Sequence, residues 1–198
     1  MREEKVKLNN QKGFTILEIT IVAAIIATLA AILIPIAVNM MDKADITRAQ
    51  ADINSIITAI ENFKSDTKEY PTRSAGGTSG WVSVLFTGDN WPGGTTFASG
   101  VNYGSNTDRL WNHFIINGDN RYPAWNNITL IGWHGPYLDS DRLDPWGHPY
   151  IIDTSAFNSP GSTFYAWIVS AGPNGQFQTD DQNTTVLRGD DLGKWIYH

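Results

Sequence analysis

The residue best placed to do chemistry in this chain is a single carboxylate, Glu18. From Phe14 to Val38 the sequence is apolar except for Thr15, Glu18, Thr20 and Thr28. A helix over this run rises ~1.5 Å per residue and crosses a ~30 Å hydrocarbon layer with length to spare. An ionised group in its first turns is costly unless something pairs with it. The preceding residues carry Arg2, Lys5, Lys7 and Lys12 against Glu3 and Glu4, and Gly13 stands at the junction. No small-residue cleavage site follows the run, so Gly13 is the expected cut. Cleavage there removes the charges and frees an amino group on Phe14, four residues from Glu18 and on the same helix face. Glu18 then pairs with that amine, either its own or a neighbouring copy's, and a low dielectric makes the pairing strong.

A second constellation lies near the C-terminus. Ser170-Ala171-Gly-Pro-Asn174-Gly175 leads to Asp180-Asp181 and then to Arg188-Gly-Asp190-Asp191. Hard carboxylate, amide and carbonyl oxygens on a glycine-rich backbone suit calcium, although the EF-hand spacing is absent. A cation would also relieve the repulsion between Asp190 and Asp191.

The elements that must carry these groups follow from periodicity. Beyond Pro35 the apolar residues Ile46, Ala49, Ile53, Ile56, Ile57, Ile60 and Phe63 recur at three- and four-residue steps. One long helix over 14–66 is predicted, apolar all round in its first half and amphipathic in its second. Its polar face is mixed in sign, which argues for packing against a globular part rather than lying on a membrane. Pro35 removes one helical hydrogen bond and bends or loosens the helix there. Tyr70-Pro71 closes the helical region. Residues 72–135 read as loop-rich, with Trp81–Phe86, Asn112–Ile116 and Ile128–Ile131 as short strands or helical turns. Trp81, Trp91, Trp111, Trp125 and Trp133 are expected to pack the core or pin loops. Asp144-Pro-Trp-Gly147 is a turn, followed by a hairpin of Tyr150–Ile152 and Phe164–Val169.

Composition bounds the function. At 198 residues, one modest domain fits beside the helix. Loss of the leader, with four basic and two acidic residues, takes the net charge from −6 to about −8, which disfavours nucleic acid as a partner. There are no cysteines, so an exported domain must rely on its core, a metal or neighbours. No H-E-x-x-H, G-x-S-x-G, P-loop or G-x-G-x-x-G motif occurs, and His113, His134, His148 and His198 have no ligand spacing, so an enzyme is not expected. The basic leader places the N-terminus in the cytoplasm and the rest of the chain outside.

Gly13-Phe14-Thr15-Ile-Leu-Glu18, with Pro35, resembles the signal of type IV pilins and pseudopilins. The order Tyr70-Pro-Thr72, Gly135-Pro-Tyr-Leu138, Asp144-Pro-Trp-Gly-His-Pro-Tyr150, then strands and an acidic loop, is similar to the G-type major pseudopilin of type II secretion, with His148 where that family has Asn. The resemblance covers residues 12–72 and 135–195 and leaves 87–133 as an insertion. It implies an α+β, type IV pilin-like fold: a long helix packed on a small antiparallel sheet with a C-terminal calcium-type loop. The implied divisions are a leader over 1–13, a membrane and filament-core helix over 14–38, an amphipathic half over 39–70, and a headgroup over 71–198 with its calcium loop at 170–195. It further implies that a prepilin peptidase cuts after Gly13 and methylates Phe14, and that Glu18 and Pro35 serve assembly. The implied product is a homo-oligomeric helical filament, built in the bacterial inner membrane with minor pseudopilins and an assembly platform, its headgroup periplasmic. Calcium would be held by Asn174, Asp190 and Asp191 with the carbonyls of Ala171 and Arg188, and less readily by Asp180 and Asp181. The loop departs from the family in having Asn174 for an Asp and a longer middle. The alternative is a type IV pilin with an adhesive headgroup.

Overall fold

The computed structural model describes residues 13–75, 80–92, 97–101, 103, 106–158, 165–179 and 186–196. The leader up to Lys12, the acidic pair Asp180 and Asp181, and Phe164 of the predicted hairpin therefore lie outside the described residues. The chain divides into two units, residues 1–43 and 44–198.

In the first unit lies the start of α1, Ile16–Thr67. Every large apolar side chain from Phe14 to Met41 is exposed. The helix is long and apolar enough to cross a membrane, judged by length and composition. It runs unbroken through Pro35; the missing proline N–H leaves the carbonyl one turn earlier, on Ala31, without its helical donor.

In the second unit α1 becomes amphipathic and buries Ala49, Ile53, Ile56, Ala59, Ile60 and Phe63. The helix ends where Lys68 turns left-handed (φ 63°). Among the described residues five strands follow: β1 Val84–Phe86, β2 Thr107–Arg109, β3 Ile151–Asp153, β4 Ala166–Ser170 and β5 Leu192–Ile196, with the short helix α2 at Trp111–Phe114. They form one sheet in the order β2-β1-β3-β4-β5. The predicted hairpin is present as β3 and β4, paired antiparallel with Ile151 opposite Val169. The sheet is antiparallel from β1 to β5, but β2 joins the edge parallel to β1. A parallel partner needs a long crossover, and residues 87–106 supply it.

Both faces of the sheet are covered, which is why β1, β3 and β4 are buried along their whole length. Alternation sends Leu85, Ile152 and Ile168 towards the α1 residues Ile56, Ile60 and Phe63. Val84, Ile151, Trp167 and Val169 point the other way, onto Tyr103 and Phe177, with Trp91 and Phe97 beside them. The segment 87–133 is therefore structural on two sides. Its Phe97 and Tyr103 close the second face, and its Leu110, Phe114 and Tyr122 complete the first. Phe63 sits at the centre of an aromatic cluster, edge-on to Phe114, Tyr122 and Tyr137.

Of the five tryptophans, Trp91 and Trp133 pack against the two core clusters as expected, though none of the five is fully buried. Trp133 donates its indole N–H to the His113 carbonyl (2.8 Å), and Trp125 stacks on His134. Trp81 is 59% exposed. An indole needs a partner for its N–H, which favours the margins of the core over its centre.

Candidate functional site

At the head of α1, Thr15 and Glu18 form a reciprocal pair. The Glu18 carboxylate accepts from the Thr15 N–H and hydroxyl, both at 2.9 Å, while the Glu18 N–H donates to the Thr15 hydroxyl at 3.2 Å. This is a capping box, a Thr before the first helical residue and a Glu three positions later. The spacing is visible in Thr15-Ile-Leu-Glu18, and reading Glu18 only against the Phe14 amine overlooks it. Gly13 and Phe14 precede the helix, and Phe14 is exposed.

The C-terminal constellation lies in the connection from β4 to β5, so that pairing of the two strands returns Asp190 and Asp191 to the neighbourhood of Asn174. Asp190 accepts from the Asn174 N–H (3.0 Å) and from its side-chain amide. Asp191 takes the N–H groups of Gln178 (2.8 Å) and Thr179 (2.6 Å) on one oxygen. Its other oxygen, Oδ1, is buried without a hydrogen-bond partner. Burial pushes the Asp191 carboxyl above the usual range, the Thr179 and Gln178 donors pull it down, and Asp190 pushes it up again. Asn174 Oδ1 accepts from Gln176 N (2.6 Å). The Arg188 carbonyl accepts from Asp191 N (3.2 Å), and Ala171 is buried at the start of the loop.

Gln178 ties the loop together, its carbonyl accepting from Asp190 N and the Asn174 amide. Gly172, at φ +64°, passes so close to the loop's far limb that a Cβ would stand 2.3 Å from the Asp190 carbonyl oxygen. The Asp144 turn braces the loop from below. One Asp144 oxygen accepts from Trp146 N (3.1 Å) and His148 N (2.7 Å), and the other from the Ser170 hydroxyl (2.6 Å), which in turn accepts from Gly172 N (3.1 Å).

A buried, unpartnered carboxylate oxygen beside a second carboxylate and an amide is a donor set that fits a hard cation. The fit rests on two Asp side chains and one Asn. Among the described residues, no three His, Cys, Asp or Glu side chains gather at one point.

His113 is fully buried, bonded to Tyr122 OH (2.7 Å) and beside Asp108 and Arg121. Burial drives its imidazole down to about 3, so it is neutral at pH 7. Arg121 pairs with Asp108, which also accepts from the Asn112 amide (2.8 Å). This network closes the segment 106–122 upon itself.

Two family models match the chain. The model of the prokaryotic N-terminal methylation motif matches residues 8–34. The model of type II secretion system protein G matches residues 37–96 and 124–189. The chain belongs to the type II secretion protein G family. This is a family of pseudopilins, which are structural subunits. The pseudopilin described here is similar to the type II secretion system core protein G of Dickeya chrysanthemi, 36% identical over 93% of this chain and 86% of the relative. The corresponding protein of Klebsiella pneumoniae is 33% identical over 88% of this chain and 93% of its own length. That of Escherichia coli is 26% identical over 89% and 91%. No solved structure gave a significant match. The protein G model leaves out 97–123, the stretch containing Tyr103, the His113 network and Tyr122.

Proposed function

We propose that this pseudopilin is made with its basic leader in the cytoplasm, is cut between Gly13 and Phe14 by a prepilin peptidase that methylates Phe14, and waits in the inner membrane with its headgroup in the periplasm. Assembly then draws subunits from the lipid into a helical type II secretion pseudopilus, with minor pseudopilins and an inner-membrane platform as partners. The observation that carries this reading is the methylation motif over 8–34, which takes in the end of the leader and most of an exposed apolar helix, on a chain that matches protein G over 37–96 and 124–189.

The physical sequence is as follows. Lipid covers the Phe14–Val38 surface before assembly and neighbouring helices cover it afterwards. Contacts that join copies without closing on themselves yield a fibre. Glu18, held by Thr15 in the uncut chain, gains a cation to pair with once the Phe14 amine is released. A subunit out of register leaves that charge unpaired in a low dielectric, so Glu18 selects register. Calcium, held by Asn174, Asp190 and Asp191 with the Ala171 and Arg188 carbonyls, would supply positive charge to the buried Asp191 oxygen and fix the β4–β5 connection for packing. Asp180 and Asp181 remain secondary candidates.

Glu18→Ala tests the register role: filaments should be lost while the leader is still removed. Normal filaments from that variant would refute it. The adhesive alternative gains no support, since the tryptophans within 87–133 are each partly covered.

A further inference from the structure

Two Asn-Gly dipeptides occur in the chain, Asn117-Gly118 and Asn174-Gly175. An asparagine ahead of glycine is open to attack by the following peptide nitrogen, because glycine has no Cβ to stand in the way. The fold treats the two differently. Asn117 is partly covered, and the backbone of Tyr122 holds both ends of its carboxamide. Its Nδ2 donates to the Tyr122 carbonyl (3.0 Å), and its Oδ1 accepts from the Tyr122 N–H (3.0 Å). That carboxamide is committed to a peptide five positions away.

Asn174 is exposed to water in the β4–β5 connection. Its Oδ1 accepts from the Gln176 N–H at 2.6 Å, which folds the carboxamide back over the intervening Gly175 peptide. Its Nδ2 donates to Asp190 and to the Gln178 side-chain carbonyl (3.2 Å), which fixes the way the amide faces. Gly175 is left-handed at φ +69°, and a Cβ there would stand 2.6 Å from His148 Nε2. The turn therefore demands glycine, and with it an unshielded nitrogen.

These are the parts needed to remove the side-chain amide. Loss of the Gly175 N–H proton to solvent hydroxide lets that nitrogen attack Asn174 Cγ. A nitrogen–carbon bond forms, negative charge gathers on Oδ1, and the Gln176 N–H donates to the charged oxygen. The Cγ–Nδ2 bond then breaks, and Nδ2 takes a proton from water and leaves as ammonia. Water opens the resulting five-membered imide at either carbonyl, giving aspartate or its isoaspartate isomer. The net change is carboxamide plus water to carboxylate plus ammonium, with no oxidant or reductant.

We infer that Asn174 is a self-modifying site, at which cyclisation onto Gly175 and hydrolysis replace the carboxamide with a carboxylate. The new carboxylate takes the place of an amide that donates to Asp190, so two like charges then face each other. Together with the buried, unpartnered Oδ1 of Asp191 they make a three-carboxylate set for a hard divalent cation. The fresh loop folds on amide hydrogen bonds, and the modified loop needs the cation. This consequence rests on the calcium reading above; the modification does not.

The test uses the full-length protein in detergent, incubated at neutral pH and sampled over days. Peptide mapping by mass spectrometry should show the Asn174 peptide becoming about 1 Da heavier and splitting into two chromatographic isomers. Asn117 should convert about ten-fold more slowly, since a hydrogen bond to a charging oxygen is worth that much in rate. In urea the two rates should converge, because the fold alone separates them. An Asn174 that stays intact, or that converts no faster than Asn117 in the folded protein, would overturn the proposal. For the cation, Asn174→Asp should bind calcium about ten-fold more tightly than freshly purified wild type, read by titration calorimetry. Equal affinities would overturn the consequence for the loop. Conversion at Asn174 with calcium bound by neither form would refute the calcium reading and leave the modification standing.

Discussion

Removal of calcium should loosen the headgroup by an amount that the C-terminal loop allows to be estimated. Asp191 Oδ1 is buried without a partner, and an unsatisfied buried polar atom costs about 1–3 kcal/mol, more when charged. A cation at that oxygen would reverse the cost. At a free concentration near 100 times the dissociation constant, a ligand stabilises the fold by about 2.7 kcal/mol. For a domain of this size each kcal/mol moves the melting temperature by roughly 2–4 °C. Residues 40–198 with millimolar calcium should therefore melt roughly 5–11 °C higher than with a chelator. The pH dependence gives an independent sign. Burial raises the Asp191 carboxyl in the fold above its unfolded value, so the metal-free fold binds more protons and loses stability as pH climbs from the unfolded value through the raised one. Calcium favours the ionised form and should abolish that loss. Differential scanning fluorimetry across pH 4–8, with calcium and with chelator, reads both effects. Superimposable melting curves, or an Asp191→Asn variant that still responds fully to calcium, would refute this reasoning.

Two further titrations have opposite signs. The His113 imidazole is lowered from 6.5 to about 3, so the unfolded chain binds a proton that the fold refuses, and stability should fall by a few kcal/mol as pH drops from about 6.5 towards 3. Urea unfolding of wild type and His113→Asn should show a flatter acid limb in the variant; equal slopes would contradict the burial argument. The Asp153 carboxyl is raised from 3.8 to about 6 by burial, so its ionisation weakens the fold as pH rises from about 4 to about 6, by up to about 3 kcal/mol. Asp153→Asn keeps an acceptor for the Ser155 N–H (2.8 Å) and should be more stable than wild type at pH 7. A variant less stable at pH 7 would show that the charge itself is needed. Gly172→Ala, with its Cβ driven towards the Asp190 carbonyl, should cost about 2 kcal/mol and weaken any calcium response, read from the same melts.

Much of this architecture is legible in the order of residues because its signals are periodic or local. The three- and four-residue spacing from Ala49 to Phe63 marks the buried face of α1, and the apolar runs around Ile151 and Ile168 mark the hairpin. The strands that escape notice lack such patterns. β2 is Thr-Asp-Arg, held at the sheet edge by the backbone of β1 and not by apolar faces. β5 begins within residues that read as a metal loop, and in Leu-Gly-Lys-Trp-Ile neither apolar character nor burial alternates. The crossover that makes β2 parallel is a tertiary fact that no local spacing encodes. At the candidate sites, the pairing of Asn174 with Asp190 depends on strand register, and so does the orphaned oxygen of Asp191. The Ser170–Asp144 brace joins residues 26 positions apart through a hydroxyl that has no motif of its own. Thr15 is the opposite case, since its spacing from Glu18 is a plain local signal that the chemistry of Glu18 overshadows.

On the reading proposed above, the apolar helix is freed of its leader and then packed against copies of itself. Mass spectrometry of the intact subunit recovered from sheared, pelleted filaments is the decisive measurement. The expected chain starts at Phe14 and carries one methyl group on its amine. Pelleted subunits that retain the first thirteen residues, or a protein found only as single chains in the membrane fraction, would contradict it.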